Sequence, residues 1–157
     1  MDIRYKRLTE KEMNTFIHMR INQLREEGAK EKIDLVPALK EYYTRHMADG
    51  TFVSWLALDE ENIIGTSGMS FVEKPPYFGC PSGKIGLLSS MFTDPEYRRR
   101  GIAKELLSRV IDDARNMAVE QYRLRRLIWE LNYIRILDLY IMVTSCNINF
   151  NGYSISD

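Results

Sequence analysis

The stretch Arg98-Arg99-Arg100-Gly101-Ile102-Ala103-Lys104 places basic side chains around two small residues at the point where an amphipathic helix begins. A chain entering a helix presents N–H groups that the helix cannot use itself, together with the positive end of the helix dipole, and both suit a phosphate. Gly101 and Ala103 carry almost no side chain, so a bulky anion can reach the main chain. Arg98, Arg99, Arg100 and Lys104 add charge around it. The same arginines also read as a solvated basic patch or a nucleic-acid contact, and Arg123, Arg125 and Arg126 lend that reading weight. Against nucleic acid stand the balance of 22 basic and 22 acidic residues and the lack of an interleaved aromatic platform. An anion site in this chain must be local.

The elements around the loop favour the phosphate reading. Lys84 to Thr93 reads as a strand, Asp94-Pro95-Glu96-Tyr97 as a turn, and Ile102, Leu106, Leu107, Val110, Ile111 and Ala114 as one face of a helix reaching about Glu120. Upstream, Ile3 to Leu8 alternates as a short strand, and Thr9 with Glu12 forms a capping box. Met13, Phe16, Ile17, Arg20, Ile21 and Leu24 follow helical spacing until Gly28. Pro37 to Ala48 predicts a second helix that stops at Asp49-Gly50. Thr51 to Leu58 and Ile63 to Val72 then form a hairpin around Asp59–Asn62. The segment Lys74 to Gly83 is dense in Pro and Gly, and either hangs over a pocket or makes an ordinary surface connection.

Composition narrows the class. With 45% hydrophobic and 11% aromatic residues, a chain of 157 can bury the core of one domain. Cys80 and Cys146 are too few for a disulfide framework and lack metal-ligand spacing; no metal is expected, and a reducing cytoplasm is the simpler setting. His18 and His46 are isolated on helices and receive no role. Met1–Lys6 is too charged for a signal peptide, and no apolar run approaches the roughly 20 residues of a membrane span. The expectation is a soluble, cytoplasmic protein with no membrane partner.

Arg98-x-x-Gly101-x-Ala103 resembles the Arg/Gln-x-x-Gly-x-Gly/Ala signature of the GCN5-related N-acetyltransferase (GNAT) superfamily. In that family the signature follows the fourth strand and opens the third helix, as Met91-Phe-Thr-Asp-Pro-Glu-Tyr-Arg-Arg-Arg-Gly-Ile-Ala103 does here. The resemblance covers about residues 3–120. It implies an α/β (equally α+β) fold with a mixed, mainly antiparallel central sheet and helices on both faces. It implies acetyl-CoA as cosubstrate, the backbone of Met91, Phe92 and Thr93 along the pantetheine, and the N–H groups of Arg99, Arg100, Gly101, Ile102, Ala103 and Lys104 on the pyrophosphate. It further implies acetyl transfer to a primary amine of a small molecule or peptide, and a homodimer joined through the last strands. Glu73, at the end of the third strand, is a candidate base for the amine, or a plain surface carboxylate. Ser89 and Ser90 stand where relatives place polar residues facing substrate, or are sheet-surface hydroxyls. Tyr42 and Tyr43 lie on the helix that lines the acceptor pocket in relatives, or are core.

After Tyr122 the family pattern stops, so the core spans 1–122 and residues 123–157 form an atypical segment of the same domain. The expected tyrosine acid and the Tyr/Phe-Gly-Phe turn are missing. With permitted codons, reading the last base of each codon with the first two of the next allows Arg126 to Asn151 to be reread as a string with Leu-Tyr, Phe-Gly-Phe and a stop. The junctions Trp129-Glu130 and Met142-Val143 can only yield glycine, and both fall where the family-like string has one. A frameshift from about Arg123 is therefore expected. In the chain as written, Leu124–Leu131 substitutes as a strand or 124–143 forms a helix. The altered terminus also raises the alternative of a coenzyme-A-binding relative without activity, as a sensor or a damaged gene product.

Overall fold

The computed structural model describes residues 2–117 and the backbone of residues 121–124. Strand β1 (Ile3–Arg7) leads to Thr9, whose N–H and hydroxyl both donate to the Glu12 carboxylate. That box first winds a single 3-10 turn, Glu10–Glu12, before α1 (Met13–Glu26). Gly28, at φ +81°, ends the helical run as the sequence predicts. Helix α2 (Val36–Ala48) starts one residue ahead of Pro37, because the Asp34 carboxylate accepts the Val36 N–H at 3.0 Å. Strands β2 (Phe52–Asp59), β3 (Asn62–Glu73) and β4 (Lys84–Thr93) follow, then α3 (Ile102–Asn116) and β5 (Gln121–Leu124).

The strands lie in chain order, β1 to β5, with antiparallel pairing as far as β4 and parallel pairing of β4 with β5. The parallel step is the one that α3 bridges, since parallel neighbours need a crossover. Sequence reading carries α3 on to about Glu120; it ends at Asn116, and Met117 is already 40% exposed, so the apolar face stops at Ala114. The fifth strand accordingly begins at Gln121, ahead of the Leu124 start considered above. The reading-frame argument, the last strands and residues 125–157 lie outside the described residues.

Helices cover both faces of this mixed α/β sheet. On one face Phe16 and Ile17 of α1 and Tyr43 of α2 pack with Phe52, Leu56 and Leu58. On the other, Leu107, Val110 and Ile111 of α3 meet Met69, Leu88 and Met91, while Ile102 and Leu106 meet Ala57 and Ile64. Burial of each large apolar side chain contributes about 1.5–3 kcal/mol. Gly68 is required by the first of these layers, because a Cβ there would come within 2.7 Å of the Phe52 ring. That ring in turn lies 4.8 Å from Tyr43, so the missing side chain on β3 decides how closely α2 can approach.

Candidate functional site

The first half of β4 is regular: Lys84 to Leu88 face Glu73 to Met69 of β3, and Ile85 to Leu88 also pair with Gln121 to Leu124 of β5. Beyond Leu88 the pattern changes. Ser89 pairs with Gly68 and Phe92 with Thr66, so Ser90 and Met91 together oppose the single residue Ser67. This is a β-bulge, and its first extra residue, Ser90, adopts φ +52°. A non-glycine residue in that region costs on the order of 1–3 kcal/mol, so the surroundings must hold it there. Among the described residues, β5 accompanies β4 only as far as Leu88.

The strand delivers the chain to the basic loop through a 3-10 turn, Pro95–Tyr97. Arg99 at φ +65° and Gly101 at φ +79° both take left-handed backbone angles, and Gly101 is the N-cap of α3. The helical ladder starts with the Glu105 N–H donating to the Gly101 carbonyl at 3.1 Å. The amides of Ile102, Ala103 and Lys104 precede that bond and lie at the positive end of a 15-residue helix. A Cβ at Gly101 would meet nothing within 4 Å, so space does not dictate the glycine there and its positive φ does. Thr93, which pairs with Gly65, shares the α3 face, since a Cβ at Gly65 would touch Ile102 and Leu106. The Thr93 hydroxyl is buried there without a hydrogen-bond partner among the described residues. First-turn amides at the positive end of a helix dipole are a donor arrangement suited in kind to an anion such as a pyrophosphate.

Side-chain charge is arranged differently from what the run of arginines suggests. Arg98 spans the site: its Nε donates to the Thr93 carbonyl at 2.9 Å, and its terminal nitrogen reaches both oxygens of Glu26 on α1, at 2.7 and 2.9 Å. Its guanidinium also lies over the Phe92 ring, 5.8 Å from the centroid. Arg100 donates to the Glu96 carbonyl at 2.9 Å and covers Tyr97 at 5.3 Å. Arg98 thus braces the strand end against α1. Asp94, half-buried beside this brace, has its carboxyl pushed above the usual range by burial, with Arg98 pulling the other way.

The remaining candidates are scattered. Glu73 is exposed and pairs with Lys84, five residues of β4 before Ser89, which is roughly 17 Å of strand. Ser90 is 1% exposed, and its hydroxyl sits 2.8 Å from the Tyr43 phenol, which burial pushes above its ordinary pKa. Tyr42 makes a similar pair with Ser70 at 3.0 Å, so both α2 tyrosines are tied to the sheet through serines. Glu26 and Thr66 escape sequence reading: the acid lies 72 residues from the arginine it braces, and Thr66 is one of several hydroxyls on β3. Among the described residues no group of three His, Cys, Asp or Glu side chains could hold a metal, and no helix is long and apolar enough to cross a membrane.

The chain matches the acetyltransferase (GNAT) family over residues 16–133. It is similar to the structure of a predicted acetyltransferase with acetyl-CoA from Clostridium acetobutylicum, at 22% identity and a TM-score of 0.77 over 99% of this chain and 96% of that one. A GCN5-related N-acetyltransferase from Ralstonia eutropha matches with the same TM-score, 0.77, at 17% identity over 99% and 98%. Glucosamine-6-phosphate N-acetyltransferase from Arabidopsis thaliana shares 12% identity over 100% and 98%, with a TM-score of 0.60. No curated protein matches the sequence. A family match over this much of the chain, on a sheet interrupted at Ser90 and leading into a basic loop and α3, shows that the chain belongs to the acetyltransferase (GNAT) family.

Proposed function

We propose that this protein transfers an acetyl group from acetyl-CoA to a primary amine of a small molecule or peptide. The observation that carries the reading is the glycine-capped mouth of α3, directly after a strand whose pairing with β5 ends at Leu88. The amides from Arg99 to Lys104 would take the pyrophosphate, and the backbone of Met91 to Thr93 would run beside the pantetheine. The thioester supplies an activated acyl carbon. The neutral amine forms a C–N bond there, the C–S bond breaks, and a proton must reach the departing sulfur. Strand amides at the bulge are suited to the charge that develops on the carbonyl oxygen. Deprotonation of the ammonium falls to a base or a water chain; exposed Glu73 is the weaker candidate on position, and Ser90 is already engaged with Tyr43.

A second reading, a coenzyme-A binder without activity, is favoured by the departure of the sequence after Tyr122 from the family marks. Two measurements separate them. Acetyl-CoA should raise the melting temperature under both readings, by an amount set by its affinity. Thiol release with a panel of primary amines should occur only under the first. A thermal shift with no release from any amine would favour the binder, and no shift at all would remove the assignment of the loop. Cytoplasmic location and pairing of two copies through the last strands remain part of the proposal.

A further inference from the structure

Ser90 is gripped from two directions that neither the pyrophosphate mouth nor the reaction scheme requires. Its hydroxyl meets the phenol of Tyr43 on α2, and its carbonyl oxygen accepts the Thr66 hydroxyl of β3 at 2.7 Å. All three residues are buried, so water does not compete for either bond and a lost partner would leave an unsatisfied polar group. Left alone, a serine at φ +52° would relax toward the extended region and the bulge would close. Closing it would shift the register by one and move every later residue of β4 to the opposite face. Met91, which packs under α3, and Phe92, which lies under Arg98, would exchange sides.

We propose, on the basis of the acetyl-transfer reading above, that Tyr43 and Thr66 are positioning residues that hold the β4 bulge and so set the direction of the Ser90 and Met91 amides toward the thioester. Neither side chain needs to touch substrate. Tyr43 brings the state of α2 into the reacting strand, whereas Thr66 holds the bulge from within the sheet. The Tyr42–Ser70 pair is a separate tie between α2 and β3, so loss of the Tyr43 hydroxyl leaves the helix docked. Burial pushes the Tyr43 phenol upward, which keeps it protonated and the pair intact across neutral pH.

The test compares the full chain with Tyr43→Phe, Thr66→Val and Thr66→Ser, reading amide hydrogen exchange along β4. Exchange at Ser90 and Met91 should accelerate roughly tenfold or more in Tyr43→Phe and Thr66→Val. Exchange at Ile85 to Leu88, and the thermal shift caused by acetyl-CoA, should stay as in the parent. Thr66→Ser, which keeps the hydroxyl, should restore the parental rates. With an amine that supports thiol release, kcat should fall about tenfold or more at an unchanged KM for acetyl-CoA. Parental exchange at Ser90 and Met91 in both variants, uniform acceleration along all of β4, or Thr66→Ser behaving like Thr66→Val would each overturn the proposal. Should Thr66→Val fail to fold, Tyr43→Phe decides alone. Absence of a thermal shift in the parent chain would instead defeat the cofactor assignment, and the exchange rates would still show whether the grip exists.

Discussion

Lys84–Leu88 and Ser89–Thr93 are halves of one strand, yet they use their backbone in opposite ways. The first half pairs with β3 at every residue and with β5 from Ile85 onward, so its main-chain groups serve the sheet. The second half skips a pairing at Ser90 and Met91, continues beyond β5 among the described residues, and is kept in shape by Tyr43, Thr66 and Arg98. Stability and chemistry make different demands on the same backbone. A fully paired strand has nothing left to offer a ligand, whereas a strand with groups in reserve needs side chains to hold its form.

The contrast can be broken by substitutions that fall on either side of it. Ile85→Ala removes a fully buried side chain from the scaffold half and should cost about 3 kcal/mol of stability, read as a lower melting temperature. Acetyl-CoA affinity of the folded protein should not change; a parallel loss would merge the two halves into one functional unit. Gly101→Val acts in the reverse sense. The space around Gly101 is open, so the penalty comes from a β-branched residue forced to φ +79°, and affinity should weaken on the order of 100-fold. A dissociation constant equal to the parent's would contradict the mouth assignment. Arg98→Lys has the smallest expected effect, about fivefold in affinity, because a single ammonium cannot reach the Thr93 carbonyl and both Glu26 oxygens in the same planar way. A full loss of binding would instead mean that Arg98 itself grips phosphate.

The elements around β4 are easier to read from sequence than the second half of that strand, for physical reasons. Thr9 with Glu12, Gly28, and the apolar face of α3 are local patterns whose meaning lies within a few residues. The glycine at the start of α3 is also a local pattern, and it too is legible. The bulge is not: Ser89-Ser90 carries no turn signal, and the partners that hold it come from α2 and β3, 47 and 24 positions away. Arg98 shows the same limit. Its place in the signature suggests charge for a phosphate, whereas its pairing with Glu26, brought alongside by the packing of α1 against the sheet, leaves no local mark in the sequence.

That brace has a consequence for ionic strength. Arg98 and Glu26 are roughly one-third exposed, 35% and 40% at their side chains, so mobile ions reach the pair and weaken it. If coenzyme A binds as proposed, added electrolyte acts on it by two routes, screening the anionic ligand directly and loosening the tether between α1 and the end of β4. The parent protein should lose affinity more steeply with salt than a Glu26→Gln chain, in which the second route is already closed.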